Sequence, residues 1–174
     1  MSEVAGATDT PARDRIVATL EREHAAWRAL IAEVGAEHLT EPGPMGEWSF
    51  RDLVAHLMGW RERTIGRLEA AAAGLPDPAD PWPADLNDLD DDAAAINDWI
   101  QDRSAGRSTD ELLETIDASY GRLAAALSRF PESALTDPHA IAMLEGRAAV
   151  DVDWVSHYHD EHEPTVSAWL ARRG

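Results

Sequence analysis

A chain of 174 residues with a formal charge of −18 is long enough for one domain and too acidic to grip nucleic acid or an anionic membrane surface. It has no cysteine, and all 15 of its basic residues are arginine. That excludes disulfides, thiolate metal ligands, a protein-borne thiol nucleophile and Schiff-base chemistry on lysine.

Residues 1–15 lack the basic start and apolar core of a signal peptide, and no apolar run nears the ~20 residues of a membrane span. A cytoplasmic chain without a membrane partner is expected, with residues 1–10 disordered. The first predicted helix follows Thr10-Pro11, with an apolar stripe of Ile16, Leu20, Trp27, Ile31 and Val34. Gly35 ends it, and the Pro- and Gly-rich segment from Glu41 to Glu47 reads as a loop. The second helix opens at Ser49, with Asp52 placed for a capping box, and Phe50, Leu53, Leu57, Trp60, Thr64 and Leu68 mark one face. An acidic, Pro-rich crossover runs from about Leu75 to Asp92, which makes it a binding loop or a mobile one. A short amphipathic helix follows over Asp92 to Arg103.

The third main helix starts with the capping box Ser108–Glu111 and carries Leu113, Ile116, Tyr120, Leu123, Leu127 and Phe130; Pro131 stops it. The fourth is expected from near Glu145 to the carboxyl end, with a seam of Ala148, Val152, Val155, His159, His162, Val166 and Trp169. No strand pattern competes with these, so the fold class is all-α: a single four-helix bundle with a long acidic crossover and a short extra helix.

Two histidines, His159 and His162, fall on seam positions that should be apolar. Residues three apart on a helix point nearly the same way, so both imidazoles would enter the bundle and need partners there. His56 lies one residue before Leu57 on the second helix. The trio His56, His159 and His162 is therefore the candidate metal set, for one divalent ion such as zinc or nickel, and the candidate catalytic set together with Glu163. The competing reading is three hydrogen-bonded core residues. For His24, His38, His139 and His157 that ordinary reading is preferred, His157 standing about 200° around the helix from His159. Pro164 should kink the last helix near the pair. Trp48, Trp60, Trp99 and Trp154 are candidate walls of an aromatic substrate pocket, although a core role suits most tryptophans. Asn97, Tyr120 and Tyr158 complete the substrate-binding candidates.

The stretch EPGPMGEWSFRDLVAHLMGW, Glu41 to Trp60, resembles the second-helix entry of the DinB-like superfamily and is most similar to its ClbS/DfsB-type four-helix bundles. The matching positions are Gly46, Trp48, Ser49, Asp52, His56, Gly59 and Trp60. The stretch YHDEHEPTVSAWL, from Tyr158, is similar to the last helix of the same group. The resemblance implies a divalent metal on one second-helix histidine and a His-x-x-x-His pair. His56 and His162 match, whereas Tyr158 stands where the other histidine belongs, and His159 is the proposed substitute. It implies detoxification of an electrophilic metabolite, by hydrolysis or by other means, as in self-protection against a reactive natural product. Two alternatives stand beside that expectation: a non-catalytic sequestering protein, and a metal- and thiol-dependent S-transferase or isomerase. The expected partner is a small molecule, and the expected state is a monomer or homodimer.

Overall fold

The computed structural model describes residues 10–173; the disorder expected of residues 1–10 concerns a segment almost wholly outside them. Helix α1 spans Ala12–Val34 and buries Ile16, Leu20, Trp27 and Val34. It begins at Pro11, and the Glu132 carboxylate accepts from the Ala12 amide freed by the helix start. Gly35, at φ 78°, ends it in a conformation open to glycine.

The expected loop contains a small antiparallel hairpin, β1 Pro42–Gly43 with β2 Gly46–Ser49, paired Pro42 to Ser49 and Gly43 to Gly46. A Cβ on Gly43 would lie 2.7 Å from Trp169 Nε1, so the missing side chain lets the hairpin sit on the last helix. Helix α2, Phe50–Ala72, starts with the full Ser49–Asp52 capping box. Its inward stripe is Leu53, Leu57, Arg61, Ile65 and Leu68, the four apolar members all 3% exposed or less. Each such apolar burial contributes roughly 1.5–3 kcal/mol. Trp60 and Thr64, expected on that face, lie at its edge, only half-buried.

The acidic crossover is tied to α2: Arg67 pairs with Asp77 at 2.7 Å and Arg63 with Asp80 at 2.5 Å. Trp82 anchors it, packing with Ile96 and Ile100 in a small second core and donating to Asn87 at 2.9 Å. Helix α3 spans Asp92–Ser104, as expected. It approaches α2 at Gly59, where a Cβ would lie 2.6 Å from Ile100 Cγ1. Helix α4, Thr109–Ser128, carries the second capping box, Ser108–Glu111, and buries Ile116, Tyr120, Leu123 and Leu127, with Leu112 in place of Leu113. The short α5, Glu132–Thr136, closes against α1.

The last helix departs from expectation. Instead of running on from Glu145, the chain makes short 3-10 turns at Ala142–Leu144 and Ala149–Asp151 before α6, Ser156–Glu161, and α7, Glu163–Ala171. Glu145 at φ 50° and Gly146 at φ 86° are both left-handed and break any helix there. Asp153 accepts from the Val155 amide at 2.9 Å, a local bond that competes with helix propagation. The fold is all-α, with the core between α1, α2, α4 and the last pair. No helix among the described residues is long and apolar enough to cross a membrane.

Candidate metal centre

His56 leaves α2 one position before the core residue Leu57 and is 4% exposed. The Trp48 ring, carried in by the hairpin, lies 5.4 Å from its ring. Across from it, α6 ends where it must. Pro164 has no amide to give the Asp160 carbonyl, so the helix stops at Glu161 and restarts with Pro164 in the first turn of α7. The expected kink is thus a break between two helices. At the junction, His162 takes φ −123° and leaves the helical track. On one continuous helix, residues five apart would point about 140° away from each other. Here His157 and His162 both turn to His56.

The three Nε2 atoms converge. His56 Nε2 lies 3.0 Å from His157 Nε2 and 3.1 Å from His162 Nε2, and one nitrogen of each residue lies within 4.8 Å of the others. Ligands on a tetrahedral ion with metal–nitrogen bonds of ~2.0–2.1 Å stand about 3.3 Å apart, close to these spacings. A neutral imidazole carries one N–H, so His56 Nε2 can donate to only one of its two neighbours, and the third lone pair stays uncompensated. Nδ1 of His56 and Nδ1 of His162 are buried without partners, so no hydrogen bond on the far side of either ring fixes the alternative tautomer. A cation at the centre satisfies all three Nε2 lone pairs at once. This donor set fits a divalent ion.

The electrostatics agree. Burial, then the charges that His157 and His162 would carry, push His56 down to about 3. Burial also lowers His162, reinforced by His157, and lowers His157, where Glu161 opposes the shift and Arg61 adds to it. All three are neutral near pH 7, the state that binds metal.

The third histidine corrects the sequence expectation. His159 does not join His56 and His162. Its Nδ1 faces Asp153 Oδ2 at 2.9 Å and its Nε2 faces Glu23 Oε2 at 3.2 Å. Burial would lower its pKa, but Asp153, Glu23 and Glu163 together outweigh that and raise it. With both ring nitrogens turned to carboxylates, that imidazole is engaged away from His56 and His162. His157, read as an ordinary histidine, takes the place instead. The legible signal was Pro164: a helix broken two residues before it does not keep regular spacing up to His162.

The remaining candidates divide between several hollows. Trp48, Trp60 and Asn97 line the cavity of about 700 Å³ into which the trio opens, with Met45, Asp160 and Glu161. There Trp60 Nε1 donates to Asn97 Oδ1 at 2.9 Å, and the Asn97 side chain also reaches His56. Tyr120, Tyr158, His159 and Glu163 line a different cavity, of about 500 Å³, beside Trp27. Burial raises the pKa of both tyrosines. Trp99 belongs to a third groove, stacked on Arg103. Trp154 lines a small hollow of about 230 Å³ that shares His157 with the metal centre.

A helical bundle whose second helix and last helix pair aim three imidazoles at one point is a bundle of the DinB-like kind with a cluster that could hold a metal ion. The chain belongs to the mycothiol maleylpyruvate isomerase N-terminal domain family, which matches residues 20–172. It is also similar to two uncharacterized proteins of Mycobacterium tuberculosis, Rv0738 of strain H37Rv and MT0763 of strain CDC 1551. Each is 39% identical over 61 residues, 35% of this chain and 32% of the relative. The match thus spans about a third of each relative's length. No solved structure matches the chain.

Proposed function

We propose that this protein is a divalent-metal-dependent enzyme that activates an external low-molecular-weight thiol for transfer to, or isomerisation of, a small electrophile. The observation that carries the reading is the convergence of His56, His157 and His162 at the floor of an open cavity. Family membership favours thiol chemistry over the hydrolytic, self-protective activity that the ClbS/DfsB-type resemblance implies. The chain has no cysteine, so any thiol must come as a co-substrate.

His56, His157 and His162 would hold the divalent ion, which when bound would lower the pKa of a thiol or water beside it. The chain's own groups do the rest. Asp160 and Glu161 line the same cavity and are placed to receive the proton the thiol gives up. Trp48 and Trp60 wall the substrate with apolar surface, and Asn97 adds a polar group to the same lining.

The deciding experiment combines metal analysis with turnover of a model electrophile, with and without mycothiol or another small thiol. The reading requires near-stoichiometric zinc, nickel or another divalent ion, and electrophile loss only when thiol is present. Loss of the electrophile in metal-loaded protein without thiol would replace this reading by the hydrolytic one. Binding without turnover under either condition would make the protein a sequestering one.

A further inference from the structure

Helix α6 borders two hollows. His157 lines the metal cavity, whereas Tyr158, His159 and Glu163, candidates that the metal centre leaves unused, line the cavity of about 500 Å³ beside Trp27. No arginine lines that second cavity, although the chain has 15. The basic group it does have, His159, is already engaged by Asp153 at 2.9 Å and by Glu23 at 3.2 Å. Two further carboxylates stand in the lining, Glu33 near the end of α1 and Glu163 at the start of α7. Both are exposed, and neither makes an ion pair among the described residues. An unpaired acid is ordinary in a chain with 33 acids and 15 arginines, so the charges alone define nothing. What sets these two apart is the surface they share.

That surface is aromatic. Trp27 and Tyr158 meet edge to face in the lining, with ring centroids 5.5 Å apart and planes at 84°, so two walls stand nearly at right angles. Trp27 is 4% exposed, and its Nε1 is buried without a hydrogen-bond partner. Buried donors are normally paired, so this N–H is one that a ligand oxygen would satisfy. The carboxylates do not converge. Among the described residues only the histidine trio brings three ligand atoms within 4.8 Å of one another. The acids of this cavity are therefore set too wide to share one metal ion, whose oxygen ligands lie at about 2.0–2.6 Å. A broader cation suits them.

We infer that this cavity is a second binding site, for a small organic ammonium that also carries an oxygen acceptor. The ammonium lies against the aromatic walls, which attract a cation through the ring quadrupole, and Glu33 and Glu163 supply the opposite charge. The oxygen accepts from Trp27 Nε1. A volume of about 500 Å³ suits a small molecule. The net charge of −18 favours the approach of a cation over that of an anion. Neither metal nor thiol enters this binding, so the site goes beyond the proposed chemistry and does not depend on it.

Choline, which has both features, is titrated into the protein as isolated, beside its uncharged isostere in which carbon replaces the ammonium nitrogen. Calorimetry gives the affinity, and the indole N–H resonances give the place. The expected result is saturable choline binding with a Kd below about 1 mM, and none by the isostere over the same range. The Trp27 resonance should move while those of Trp48 and Trp60, in the metal cavity, stay still. Replacing the two exposed acids together, Glu33→Gln with Glu163→Gln, should weaken binding roughly 5-fold. Tyr158→Leu should weaken it roughly 3-fold. Should Tyr158→Leu not fold, as helix content shows, the resonances of the unaltered protein and the double variant decide. Equal binding of the isostere, an unmoved Trp27 resonance, or unchanged affinity in the double variant overturns the site. So does movement of Trp48 and Trp60 in place of Trp27, which would put the cation in the metal cavity.

Discussion

His157 and His159 are two residues apart on the six-residue helix α6, yet they serve opposite environments. His157 turns to two other imidazoles, with burial holding it neutral. His159 turns to Asp153 and Glu23, and those carboxylates raise its pKa against the effect of burial. The helix contributes only the angle between them. What each imidazole becomes is decided by what the neighbouring elements bring: α2 brings His56, and α1 brings Glu23. One side favours neutral imidazoles whose lone pairs are open to a cation; the other favours the protonated form.

The largest effect expected from breaking this contrast is on metal affinity. His56→Ala, His157→Ala and His162→Ala each remove one of three donors. Each should cost more than the roughly 10–100-fold typical of losing a mere outer partner of a ligand. His159→Ala should leave metal content unchanged. Metal-binding titrations on the four variants read this directly, and an inverted result for His157 and His159 would reverse the assignment of the two sides.

A middle-sized effect concerns the wall of the metal cavity. Gly59→Ala puts a methyl against Ile100, where α3 meets α2. The helices must separate, costing about 1–3 kcal/mol as overpacking does. Asn97, on α3, should then lose its bond from Trp60. Urea unfolding and the Trp60 indole N–H resonance measure the two consequences. Stability lost with the resonance unmoved would mean that the α2–α3 contact does not set the cavity wall.

Local signals made much of this legible in the sequence. Both capping boxes, Ser49–Asp52 and Ser108–Glu111, form as their spacing predicts, because they need only residues three apart. The short helix Asp92–Ser104 is equally local. The last helix was misjudged because the spacing of Ala148, Val152 and Val155 was read through Glu145, Gly146 and Asp153, whose backbone and side-chain preferences outweigh it. That error carried His159 into the ligand set, since a seam position means nothing across a helix end. Arg61 was hidden differently. Its place in the run Leu53, Leu57, Arg61, Ile65 is visible, but a single charge in an apolar stripe is easily read as an edge residue until its burial is known. The hairpin that carries Trp48 to His56 depends on Gly43 meeting Trp169, a contact 126 positions away in the chain that no local pattern announces.

The smallest expected effect sharpens the comparison from the ion-paired side. Asp117 on α4 accepts from Arg28 Nε at 2.7 Å and Nη2 at 2.8 Å, and it lies 2.6 Å from His24 Nε2. His24 in turn stacks on Tyr120, a wall of the His159 cavity, with ring centroids 4.6 Å apart. The Arg28 hydrogen bond, with burial opposing and His24 assisting, pulls the Asp117 carboxyl from 3.8 down to about 2. A carboxyl with a depressed folded pKa stabilises fully above its unfolded value and loses that contribution as pH falls through the folded one. Asp117→Asn should therefore cost about 1 kcal/mol at pH 6, discounted for solvent screening of a pair this exposed. The gap between variant and parent should narrow below pH 4 and close near pH 2. Urea denaturation at pH 6 and pH 3 measures it. A gap that stays constant over that range would mean that Asp117 holds α1 to α4 by hydrogen bonding that Asn cannot copy at any pH, and that charge contributes nothing to this side of the molecule.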